Sequence, residues 1–429
     1  MKKHRTKSRS REALSPSPRP ASVTGSAGPR GLSESVRGLM DLFRLSGLES
    51  LSTLLEEDRE ALCGPRGKWQ AERRAYRHGY EEGCLVLGGR KIRVSKPRVR
   101  SLDRKELDLP HWQHFSDEDP LDTRVLEQLV VGVSTRSYPR SLELPVGDLP
   151  AVGTSRSSVS RRFIAQTAHR VDAFLSRPLQ DLDLPVILLD GTGLGEHLLV
   201  VALGIDREGH KHVLGVAEGT TESEAVGKQL FRNLIDRGLV VERARLFVID
   251  GGKGLRTAIR TTFGDWALVQ RCHQHKRKNV ADHLPKTRQA WVKAVMNRAW
   301  TAKSKAVGQK QLEDLAKQLE DRHPGAAASL LEGLEETLTL TELGVKGALF
   351  RTLCSTNPIE NLNGTLKRVV RNVKRWRGGA MALRWAVTGL MEAEKNFRRV
   401  RGYRDLGALV EAMEARRSER KLDNVRRIA

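Results

Sequence analysis

Residues 184–194, LPVILLDGTGL, and residues 245–255, RLFVIDGGKGL, decide the fold. Each opens on a short run of aliphatic and aromatic residues that stops at an aspartate followed by glycine, Asp190-Gly191 in the first and Asp250-Gly251 in the second. Apolar runs of this length with no polar alternation mark strands covered on both faces. Working outward, residues 197–205 (HLLVVALGI) and 212–217 (HVLGVA) read as two more strands joined by the turn Asp206-Arg207-Glu208-Gly209. A helix follows over 222–237, then the strand ending at Asp250, a short helix over 255–262 and a strand over 266–270.

The order β-β-β-α-β-α-β is that of a ribonuclease H-like α/β core. After residue 276 strand character disappears: 291–322 and 326–340 are rich in Ala, Leu, Lys and Gln, so 276–350 is expected to be an all-helical insertion. The core resumes at Cys354-Ser355-Thr356-Asn357-Pro358-Ile359-Glu360, where Asn357 as cap and Pro358 at the first helical position open a helix through NLNGTLKRVVRNVKRW. The catalytic core is then split, 181–275 and 351–400, with a basic C-terminal tail over 401–429. A mainly helical DNA-binding region precedes it. Residues 1–31, Ser/Pro-rich and basic, read as a disordered tail. Residues 32–116 hold two helices broken near Ser46-Gly47 and a basic hairpin turning at Gly88-Gly89. Residues 117–180 suggest a helix-turn-helix-like domain whose second helix opens at Thr154–Ser158.

The 429 residues carry 75 Lys and Arg against 52 Asp and Glu, a net charge of +23 at pH 7. That surface points to a polyanion, and inside a cell to nucleic acid. No apolar run reaches the roughly 18 residues of a membrane span, no secretory leader is visible, and four scattered cysteines are no disulfide framework. A reducing cytoplasm, associated with the nucleoid, is the expected location. Candidate phosphate contacts are Arg90, Lys91, Arg93 and Arg98 on the hairpin, Arg156 and Arg161 on the second helix, and Lys367, Arg368 and Arg371 on the helix after Glu360. Among the tryptophans, Trp291 and Trp300 are the candidates for stacking on an unpaired base.

Asp190, Asp250 and Glu360 form the constellation that carries chemistry. Taken singly, the aspartates suit turns and Glu360 suits a capping box. Together, carboxylates leaving adjacent central strands and a helix crossing the same sheet can converge on one point. Hard oxygen donors of this kind hold Mg²⁺, and the implied reaction is phosphodiester hydrolysis or transfer.

The segments LLDGTGL, FVIDGGKGLRTA, QRCHQHKRKNV and STNPIENLNGTLKR, in this order and spread over most of residues 70–400, resemble the mutator-type transposases of bacterial insertion sequences, in the DDE superfamily. The resemblance implies a catalytic DDE triad, here Asp190, Asp250 and Glu360, on a ribonuclease H-like core interrupted by a helical insertion. It implies two Mg²⁺ ions, with Mn²⁺ able to substitute, and DNA as partner, both terminal inverted repeats and target. It further implies a homodimer or larger assembly, because two element ends are joined. The family's Cys-x-x-His signature falls on Cys272 and His275; two soft donors do not complete a structural zinc site, so none is assigned. The stretch GTGLGEHLLVV after Asp190 departs from the family pattern, and the basic N-terminal tail has no counterpart in it. The alternative is a catalytically inactive, transposase-derived DNA-binding regulator. A tyrosine recombinase is disfavoured because Tyr76, Tyr80, Tyr138 and Tyr403 lack its basic context.

Overall fold

The computed structural model describes residues 29–68, 73–87, 90–117, 120–142, 151–152, 155–219 and 221–428. The expected tail up to residue 28, the turn Gly88-Gly89, Thr154 and the side chains of Arg90 and Lys91 lie outside them. The chain divides into two compact units, residues 1–83, 94–114 and 144–150 in one and residues 84–93, 115–143 and 151–429 in the other.

The first unit is built on α1 (Pro29–Cys63), β1 (Ala75–Leu87), β2 (Arg90–Ser101), β3 (Glu106–Leu107) and the start of α2 (Pro110–Asp117). Leu55, Cys63, Ala75, Val99 and Leu109 form its core. The expected break at Ser46-Gly47 is absent. α1 runs through it, because one exposed glycine costs a helix only about 1 kcal/mol. Arg98 is engaged with acids: its guanidinium donates to Glu106 at 2.6 Å and lies 3.6 Å from Glu81, and it holds the Glu106 carboxyl down to about 2. Arg93 is exposed on the same strand.

In the second unit, α3 (Pro120–Val130), β4 (Ala151–Val152) and α4 (Arg156–Ser176) precede a five-stranded sheet. Its strands are β5 (Val186–Leu194), β6 (His197–Ile205), β7 (Lys211–Gly219), β8 (Arg245–Ile249) and β9 (Ala267–Arg271), in the order β7-β6-β5-β8-β9. β5–β6 and β6–β7 are antiparallel; β5–β8 and β8–β9 are parallel, so the α/β sheet is mixed.

Side chains alternate between two covered faces, which is why the strands read as unbroken apolar runs. Ile187, Leu189, Phe247 and Ile249 point to the face covered by α5 (Glu224–Asp236) and α6 (Lys253–Phe263), where Phe231, Phe247 and Phe263 pack edge-on or tilted at 4.9–6.0 Å. Val186, Leu188, Leu246 and Val248 point to the opposite face. α3, α4, α14 (Asn357–Val369), α15 (Gly379–Glu394) and α16 (Leu406–Ile428) contribute to its core. Between β9 and α14 the chain is helical throughout: α7 (His273–Asp282), α8 (Lys286–Trp300), α9 (Lys305–Glu320), α10 (Pro324–Leu331), α11 (Leu334–Thr337), α12 (Thr339–Glu342) and α13 (Gly347–Leu353). Most of these share a separate apolar core around Val292, Met296, Leu312, Leu315 and Leu330.

Between α3 and α4 the described residues hold a 3-10 turn at Tyr138–Ser141 and β4. The turn of the expected helix-turn-helix-like domain falls on residues 143–150 and 153–154, which lie outside the described residues. α4 turns Val159, Phe163, Val171 and Phe174 into the core, with the Phe163 ring 4.3 Å from that of Trp385. Within residues 401–429, expected as a tail, residues 406–428 form α16, which buries Leu406, Leu409, Val410 and Met413 at helical spacing.

The turn from β6 to β7 is tied by Asp206, whose carboxylate accepts the His210 N–H and the His212 ring, both at 2.8 Å. Burial pushes the Asp206 carboxyl up, but these hydrogen bonds outweigh it and hold it below the usual carboxylate range. A folded-state value depressed in this way stabilises the protein above the unfolded value, near 3.9, and the contribution is lost as pH falls through the folded one. Asp206→Ala is therefore expected to cost roughly 1–2 kcal/mol at pH 7. Denaturant melts repeated down to pH 3 should show the gap from wild type closing.

Candidate active site

The strand register puts the two aspartates side by side. β5 and β8 pair Leu188 with Val248, so Asp190 and Asp250, each two residues further on, stand level on neighbouring parallel strands. Adjacent strands lie about 4.8 Å apart. Both share parity with the residues on the face that α14 covers through Ile359, Leu362 and Leu366. The Asp190 Oδ2 accepts a 2.8 Å hydrogen bond from Asn363 Nδ2. Asp250 Oδ1 accepts the Gly252 N–H at 2.9 Å. Gly251 between them has φ +112°, and a Cβ there would lie 2.1 Å from Arg271 Nε, so a side chain is excluded on both counts.

Glu360 lies in the first turn of α14, one turn before Asn363. The helix starts one position earlier than the sequence suggests: Thr356 is the cap, and Asn357 and Pro358 are its first two residues. The Thr356 N–H points to Cys272 Sγ at 3.4 Å, while its hydroxyl donates to Glu360 Oε1 at 2.5 Å. Glu360 closes no capping box, and its carboxylate is free to face the site. His275 Nδ1 lies 4.0 Å from Glu360 Oε1. The candidate ligand atoms of Cys272, His275 and Glu360 all fall within 4.8 Å of one another.

A fourth carboxylate, which the sequence reading missed, is Glu222 in the loop before α5. Burial, then the charges of Asp250 and Asp190, push its carboxyl up to about 7. Asp190 is raised to about 6 by burial and by Asp250 and Glu360, against the Asn363 hydrogen bond and the charge of His275. His275 itself rises to about 9, chiefly through its hydrogen bond with Cys272, and the nearby acids add to the effect. Burial drives the Cys272 thiol up, but hydrogen bonds with His275 and Thr356 win and lower it. His273 has a different role. It stacks on Trp300 with ring centroids 3.9 Å apart, its Nε2 lies 2.7 Å from Thr337 O, and burial holds it down to about 4. Trp300 is wholly buried, with its indole N–H on Thr337 Oγ1, and has no face left for a base. Trp291 stays 41% exposed.

The donor set fits a divalent metal. Asp190 and Glu222 are destabilised as anions by burial and by neighbouring acids, and the charge of His275 opposes this at both positions. Hard oxygens carrying uncompensated negative charge are the ligands Mg²⁺ prefers.

A sequence model of the family described as "Transposase, Mutator family" matches residues 32–400. The chain belongs to the mutator family of transposases. Proteins similar to this mutator-family chain include the transposase for insertion sequence element IS1081 of Mycobacterium tuberculosis, 26% identical over 87% of each chain. The transposase for ISRM5 of Rhizobium meliloti is 27% identical over 89% of this chain and 92% of its own. The transposase for IS256 in transposon Tn4001 of Staphylococcus aureus is 26% identical over 69% and 75%.

Of the basic residues singled out in this mutator-family chain, Arg156 and Arg161 are exposed on α4, and Lys367 and Arg368 are exposed in the last turn of α14. Arg371 lies in the 3-10 turn beyond, its guanidinium against Gly132, where a Cβ would come within 2.8 Å. No helix among the described residues is long and apolar enough to cross a membrane.

Two outcomes are expected. Asn363→Ala removes a donor that favours the charged form of Asp190, so carboxyl NMR should find Asp190 titrating above about 6. In Gly254→Ala the new Cβ would meet the Glu222 carbonyl oxygen at 2.2 Å, so the loop must shift, at about 1–3 kcal/mol by thermal melting.

Proposed function

We propose that this chain is the DDE transposase of an insertion sequence, with Asp190, Asp250 and Glu360 as its catalytic triad. One observation carries the reading: the two aspartates stand level on adjacent parallel strands, and the helix bearing Glu360 packs on the same face and hydrogen-bonds Asp190 through Asn363. The strand order β7-β6-β5-β8-β9, with helices alone between β9 and α14, supports a ribonuclease H-like core interrupted by an all-helical insertion. The names of the relatives support DNA transposition as the activity.

Asp190, Asp250 and Glu360 would hold two Mg²⁺, or Mn²⁺ in their place, which supply activation of the attacking oxygen and neutralisation of the charge on the leaving one. The protein's own groups set the acids in place. Asn363 fixes the Asp190 carboxylate, the Gly252 N–H fixes Asp250, and Thr356 orients Glu360. In the proposed reaction water cleaves the phosphodiester at an element end, and the freed 3′-hydroxyl then displaces a 3′-oxygen of the target strand, so one P–O bond forms as another breaks in each step. Residues 32–178 would bind the terminal inverted repeats, with Arg93, Arg156 and Arg161 on phosphates, and Lys367 and Arg368 on the helix after Glu360 would track phosphates toward the site. Two ends joined in one event call for a homodimer or larger assembly, acting at the nucleoid.

The test is a strand-transfer assay on end-containing DNA with and without Mg²⁺, comparing wild type with Asp250→Asn. Product is expected only from wild type with metal, and the variant should lose at least about a hundredfold, as removal of one main transition-state stabiliser does. Metal-independent cleavage, or activity surviving the substitution, would overturn the assignment. Tight DNA binding by wild type with no turnover would identify the inactive regulator instead.

A further inference from the structure

We infer that Glu222 joins Asp190 and Asp250 in holding the divalent cation, so that the site is a set of four acids. This rests on the metal-dependent reading above and extends it. Three observations carry it.

The first is the glycine after Asp190. Gly191 lies inside β5, paired with Val200, and its φ is not positive, so neither a turn nor backbone strain demands glycine there. A Cβ at Gly191 would sit 1.7 Å from Glu222 Oε1 and 2.7 Å from its Cδ. Glycine within a strand marks a close approach, and what approaches is the Glu222 carboxylate. The second is the glycine loop after Asp250. A Cβ at Gly252 would lie 3.1 Å from Glu222 Oε2 and 3.5 Å from Asp250 Oδ1, and one at Gly254 would collide with the backbone of residues 222–224. The side chains missing after both aspartates therefore leave room for the same glutamate. The third is the absence of a protein partner: among the described residues no hydrogen bond or ion pair reaches the Glu222 carboxylate. A glutamate that merely anchored its loop would find a donor there. Instead the loop is held by Ser223, which caps α5 by accepting from the Val226 N–H and donates its own N–H to Thr221 O at 2.8 Å. Glu222 is thus positioned by its neighbours and left with its charge turned towards two others.

Binding of Mn²⁺ alone to the full chain, followed by electron paramagnetic resonance titration, tests this without reference to turnover. Glu222→Gln keeps the shape and removes the charge. It should weaken Mn²⁺ binding about tenfold or more, the usual effect of altering a group that shapes a metal site. Its melting temperature without metal should not fall, because one of several repelling charges is gone. Gly191→Ala should weaken Mn²⁺ binding in the wild-type background and have no effect in Glu222→Ala, where the space is empty. If Glu222→Gln binds Mn²⁺ as wild type does while Asp250→Asn does not, Glu222 falls and the triad stands. If Asp250→Asn also binds normally, the metal-dependent reading fails with it. A Gly191→Ala effect of equal size in both backgrounds, or a lowered metal-free melting temperature in Glu222→Gln, would make Glu222 structural and overturn the inference.

Discussion

Like charges at close range dominate this structure. Burial, with the charges of Asp250 and Glu360, lifts Asp190 to about 6, and burial, with the charges of Asp250 and Asp190, lifts Glu222 to about 7. The sheet holds them together because each strand beneath is covered on both faces. Moving Asp190 would mean sliding β5 against β6 along a nine-pair ladder, and a one-residue slip would turn every core side chain the wrong way. The carboxylates are thus fixed by register, at the expense of electrostatic comfort.

α14 closes the arrangement from above. Its apolar stripe of Ile359, Leu362 and Leu366 fixes it on the sheet, and the same turns present Glu360 and Asn363 downward. One helix therefore supplies both an acid and a neutral donor to the acid opposite. The Cys272 and His275 pair adds a cation close to the cluster, with His275 raised to about 9.

Much of this was legible in the letters. Two apolar runs ending in aspartate could only be buried strands, and the parity that aims both side chains at one face follows from the two-residue repeat. Glu222 was not legible. It sits in a polar stretch, Thr221-Glu222-Ser223-Glu224, with no periodicity to single it out, and its sole trace is the pair of glycines it displaces side chains from, far away in the chain. The cap at Thr356 was misplaced by one residue because Asn357 is equally plausible by composition; a contact with Cys272, distant in sequence, decided it. The C-terminal helix carried its signal openly in Leu406, Leu409, Val410 and Met413, and charge around that spacing masked it.

The helical stretch between β9 and α14 leaves and returns through one gate. The His273 N–H donates to Cys354 O at 2.8 Å, and the Thr356 N–H to Cys272 Sγ, so the first and last residues of the excursion are stitched together. Beyond that stitch α8 and α9 share a core of their own, while the later part of the excursion packs back on the sheet edge, the Thr339 hydroxyl donating to Val269 O at 2.6 Å and the Leu340 N–H to Gln270 Oε1 at 3.0 Å. Residues 285 to 322 can therefore be lengthened, trimmed or reshaped over evolutionary time with less effect on the acids at the root than residues 332 to 345, which touch β9 directly.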